Sequence, residues 1–218
     1  MCRKQGKEME EKKISEKESL ELISQMIQQT KKDSAIGNGN IFLLWGYLCT
    51  FISLLVYAMT YISQDSGWGW LYMAIPVVGF ITAGIVTYRK KRKYNTPNTY
   101  ASSSINQVWY CLIMVFVFYA FRCFMYMNEP QGWAGMFLLG SLLPGIGAFC
   151  TGTILKDNGV RWCGVVGATF GVCDLHNICC KGVHIELRWH LLMAFAMFVS
   201  LIIPGHILNH KAKKANEM

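Results

Sequence analysis

Arg122 and Asp174 have the most capacity for chemistry, because each is an ion set inside a long apolar run. Charged groups in such surroundings pair with an opposite charge or face a cavity, and they mark substrate sites and proton paths. Counted from the starts of their runs at residues 105 and 160, the two reach comparable depth. The expectation is an Arg122–Asp174 salt bridge, direct or through water. A polar site for a small molecule or ion, with Arg122, Asp174 and His176 as its binding residues, is the transporter alternative. Snorkelling is the bland account of Arg122, since the outer headgroups are about one and a half helical turns away.

The segment from Cys173 to His184 carries Cys and His, the residue types of a zinc site. On an unbroken helix, Cys173, His176, Cys180 and His184 share one stripe whose ends are about 16 Å apart. One tetrahedral ion cannot bridge that distance, so only neighbours such as Cys180 and His184 can share a metal. The spacing also departs from paired Cys-x-x-Cys ribbons. An ordinary helix end with small polar residues accounts for the same sequence, and a metal- or redox-active protein stands as the second alternative. No cofactor is expected. His190 and His206 lie about 24 Å apart on one helix and cannot clasp one haem. Pro204-Gly205-His206 reads as a kink rather than a site. No HExxH or GxSxG motif and no paired carboxylates occur within the apolar runs, so the reading is non-enzymatic.

The elements that must position these residues are six apolar runs, at 41–63, 68–88, 105–127, 133–155, 160–178 and 185–208. Each is near the ~20 residues that cross a bilayer. Of 218 residues, 53% are hydrophobic and 16% charged, against about 25% charged in soluble domains. Arg89-Lys90-Lys91-Arg92-Lys93 separates the second run from the third and cannot enter hydrocarbon cheaply. Short basic loops stay on the cytoplasmic side, so alternation places both termini in the cytoplasm. The net charge of +8 sits between and beside apolar runs, where it meets lipid headgroups; no separate basic domain points to nucleic acid. The seven tryptophans fall near run ends, as an interfacial belt requires. A charged segment precedes the first run, and no cleavage-like site follows it, so no signal peptide is expected. Nine cysteines make an odd count for a disulfide framework.

Residues 1–40 form a polar segment ahead of the 41–208 bundle, and 209–218 a cytoplasmic tail. Ser15 with Glu18 is a capping box, and Leu20, Ile23 and Ile27 line one face of a short amphipathic helix. That helix covers the bundle's inner face or pairs with a cytoplasmic or membrane protein partner. Pro76, Gly79 and Gly84 recur at the spacing of Pro144, Gly147 and Gly152, a faint sign of three parallel hairpins. Gly164, Gly167 and Gly171, with Gly145 and Gly152, predict close approach of the fourth and fifth helices.

Lys17-Glu-Ser-Leu-Glu-Leu-Ile-Ser-Gln-Met-Ile27, a polar hinge and Phe42-Leu-Leu-Trp-Gly-Tyr47 together resemble small multi-span inner-membrane proteins of gut anaerobic bacteria. That group has no known function and supplies no site residues. The resemblance implies a setting near small winged-helix regulators and a role in membrane-associated regulation. The expected fold class is all-α: a polytopic membrane protein with six transmembrane helices in three hairpins plus the N-terminal amphipathic helix. Its leading role is interaction, with the lipid bilayer and a protein as partners.

Overall fold

Long apolar sequences with few breakers satisfy their backbone groups by forming helices, the one open-ended structure that hydrocarbon tolerates. The computed structural model describes residues 38–64, 66–93, 100–125, 130–181 and 187–217, together with Leu20, Glu21 and Ser24. Those segments are helical: α1 (Asn38–Ser63), a 3₁₀ stretch (Ser66–Met73), α2 (Ala74–Lys93), α3 (Tyr100–Met125), α4 (Pro130–Ile154), α5 (Asn158–Lys181), α6 (Leu187–Met197), a π-turn (Phe198–Ile202) and α7 (Ile203–Glu217). The amphipathic helix expected before residue 30 lies outside the described residues, save that Leu20, Glu21 and Ser24 are helical.

Among the described residues, five helices are long and apolar enough to cross a membrane: Gly39–Ser63, Gly67–Arg89, Tyr100–Met125, Ala134–Ile154 and Leu187–Lys214. α5 has comparable length but carries Arg161, Asp174, His176 and Asn177, which dilute its apolar content. The helix bounds shift from the run bounds, and the third helix starts at Tyr100 rather than 105. The second run opens as 3₁₀ helix, and the last helix continues past residue 208 to Glu217.

The last rod, α6 to α7, is the centre. In its apolar window 61% of residues are buried, against 44% in α4, 33% in α1 and 6% in each of α2 and α3. Phe42, Phe137, Trp189, Met193, Met197 and Leu201 fill the core between α1, α4 and this rod. Trp189, expected in the interfacial belt, is 2% exposed and packs its ring edge-on against Phe137. Trp70 and Trp162 do remain on the surface.

Glycines set the helix spacing. A Cβ on Gly145 would strike the Ala168 backbone, one on Gly164 the Phe149 backbone, and one on Gly171 the Leu142 backbone. α4 and α5 therefore meet backbone to backbone, as their small residues predict. α2 leans on α1 where the Trp45 ring covers Gly79, and α3 leans on α4 where the Trp109 ring covers Gly147. Both glycines belong to the recurring Pro/Gly pattern, so the two hairpins share a tryptophan-on-glycine contact. Trp109 also donates from Nε1 to Thr151 Oγ1 at 3.2 Å and meets Phe42 edge-on.

The π-turn sits just before Pro204. Proline has no N–H and its ring crowds the carbonyl four residues back, so an unbroken α-helix is costly there. The backbone widens instead: Ile203 N–H reaches back to Phe198 O. Ser200 Oγ bonds Ala196 O at 2.7 Å and nests against Gly167 of α5.

Candidate functional site

The central rod carries His190, His206 and His210, and the first two each meet a tyrosine from the first hairpin. Near one end, Tyr72 Oη lies 2.8 Å from His190 Nδ1, and the two rings stack at 5.8 Å. Phe137 stands edge-on to both. The 3₁₀ stretch brings Tyr72 inward, and His190 is 6% exposed, so its ring is held by one hydroxyl and two aromatic faces. Near the other end, Tyr47 Oη lies 2.9 Å from His206 Nε2. One turn further, Asn209 Nδ2 donates to Asn40 Oδ1 at 2.7 Å. These pairs tie the rod to the first hairpin along its length. In an apolar surrounding a histidine nitrogen needs a partner, and the tyrosine hydroxyl supplies it. His190 and His206 thus act singly, each with its own tyrosine.

A third polar centre lies at the α4–α5 turn. Lys156, at φ 55°, takes the left-handed position that ends α4, with Lys156 N–H bonded to Thr153 O and Asp157 N–H to Gly152 O. Asp157 then caps α5: its Oδ1 accepts from Gly159 N–H at 3.0 Å and Val160 N–H at 3.4 Å. Its Oδ2 accepts from Lys211 Nζ of α7 at 2.6 Å. One carboxylate, 6% exposed, closes the turn and locks the end of the central rod to it.

Of the residues singled out from the sequence, the described ones are Arg122 on α3 and Cys173 and His176 on α5. α3 packs on α4, not broadly on α5. Arg122 is exposed on α3 and borders an open groove of about 560 Å³ between α3 and α4. His176 and Cys173 are exposed on α5. The side chains of Asp174 and Cys180, and the whole of His184, lie outside the described residues. Among the described residues no three His, Cys, Asp or Glu side chains are grouped to hold a metal ion.

Sequence reasoning missed Asp157 and both tyrosine partners. Asp157-Asn158-Gly159 ahead of an apolar run is a helix-start signal that could have marked the first. Nothing local marks Tyr72 or Tyr47, whose partners are 118 and 159 residues away. No family model matches the chain, and neither the curated proteins nor the solved structures compared with it give a match.

Proposed function

We propose that the chain is a non-enzymatic, six-span protein of the inner membrane, with both termini cytoplasmic, acting through protein interaction in membrane-associated regulation. Its three hairpins are α1–α2, α3–α4 and α5 with the central rod. The observation that carries this reading is the uneven packing. A filled aromatic core sits at the centre, while only 6% of the residues in the apolar window of α2 or of α3 are buried, which leaves apolar surface on both for the bilayer and neighbouring spans. The tryptophan-on-glycine contact shared by the first two hairpins supports their equivalence. Transport through Arg122 and Asp174 stays the alternative, with Arg122 bordering a groove outside the core.

The polar N-terminal segment is the arm that would reach a cytoplasmic or membrane partner. The test is co-purification from membranes with and without residues 16–30. Loss of a specific partner on deletion is expected; an unchanged set of partners would sink the interaction role. Reporter fusions after residue 92 and at the C-terminus should both report the cytoplasm. A reporter at 92 found outside overturns the orientation.

A further inference from the structure

We infer that the groove between α3 and α4 is a binding site for an anionic phospholipid, with Arg122 on the phosphate and one acyl chain in the groove. Three observations converge on it. Val115, Phe118, Leu138 and Leu139 give the groove apolar walls that match a hydrocarbon chain. Its one ionic residue is Arg122, three residues before α3 ends at Met125, hence about 4.5 Å of helix rise from that end. A guanidinium at that depth reaches headgroup phosphate with a fork of N–H donors suited to its oxygens. From Val115 to Arg122 the groove runs about 10 Å along the helix, the direction in which an acyl chain descends from its headgroup.

The local packing sets the width of the groove. Tyr119, one turn before Arg122 on the same face, sets its hydroxyl against the bare Cα of Gly135. That contact fixes the distance between α3 and α4 where the groove passes. The wall is open on one side, which suits an occupant that is itself part of the bilayer. The leaflet depends on the six-span reading: α3 then runs outward, and the site belongs to the outer leaflet.

The site is tested by native mass spectrometry of the full chain released from nanodiscs holding equal dioleoyl phosphatidylglycerol and dioleoyl phosphatidylcholine. Wild type should retain phosphatidylglycerol about fivefold over phosphatidylcholine, the factor that one cation at an anionic surface supplies. Arg122→Gln should bring the ratio near unity, and Arg122→Lys should keep most of it. Leu139→Trp leaves the charge in place but fills the groove, so it should lower retention of phosphatidylglycerol. Inorganic phosphate at millimolar concentration should not displace the lipid; displacement would mean a bare anion site and overturn the proposal. Equal retention of both lipids by wild type, or unchanged selectivity in Arg122→Gln, also overturns it. The second result would move the selectivity to exposed cations such as Arg89 and Arg92. Should Arg122→Gln fail to fold, full lipid retention by Leu139→Trp is still decisive against the groove. The residue-92 reporter tests the orientation separately: if it is exported, the leaflet changes while the Arg122-dependent selectivity stands.

Discussion

Asp157 does the most work per atom, since its two oxygens serve two elements. Replacing it with Ala removes both functions at once. The lost cap costs about 0.5–2 kcal/mol, and the ion pair adds at most about 1 kcal/mol because Lys211 is more than half exposed. Asp157→Asn keeps an acceptor for the Gly159 and Val160 N–H groups and loses only the charge, so it should cost under about 1 kcal/mol. Unfolding of both variants in mixed micelles measures the difference, and equal losses would show that the cap contributes little. The apolar runs leave 156–159 as a gap between two spans and set the cations beside the runs against headgroups. The cap was recoverable from Asp-Asn-Gly. The partner 54 residues away was not, because nothing in a single sequence pairs one lysine with one acid. Arg122 shows the reverse case. Its place near the end of an apolar run was legible, but the groove it borders with Leu138 and Leu139 of α4 was not.

At the level of helices, the same residue type has opposite consequences at two places. Gly145 lies under the Ala168 backbone, whereas nothing lies within 4 Å of a Cβ on Gly84. Gly145→Ala should therefore destabilise by about 1–3 kcal/mol, the usual cost of forcing extra volume between packed elements. Gly84→Ala should be neutral or gain up to about 1 kcal/mol from helix propensity. Retained fold in rising SDS separates the two, and equal behaviour would remove the backbone-to-backbone account of α4 and α5. This contact was legible because small residues at four-residue spacing have few uses other than close approach. The 3₁₀ stretch was not, since Trp, Leu, Tyr and Met around it are equally at home in an α-helix. Pro204 announced an irregularity, but the form it takes depends on Ser200 seating against Gly167.

For the molecule as a whole, helicity and membrane character were legible, and radial order was not. The central rod and α3 have mean hydropathies of 2.2 and 1.9, yet 61% and 6% of their windows are buried. Lipid is as apolar as leucine, so a core helix and a lipid-facing helix read alike. Local stability should differ where hydropathy does not. Hydrogen exchange in detergent should be slowest in Leu187–Lys214 and fastest in α2 and α3. Uniform protection would contradict a packed centre with outlying helices. The π-turn decides how that centre works. Contacts with α1 fall on the rod before the wide turn at Ala194, within it at Leu201 and Ile202, and beyond it at Gly205 and Asn209. A π-turn takes in one residue more than an α-turn, about 100° of phase for whatever follows. His206, Asn209 and Lys211 meet Tyr47, Asn40 and Asp157 on the far side of that step. One widened turn thus joins two stretches of a single rod that both hold the first helix.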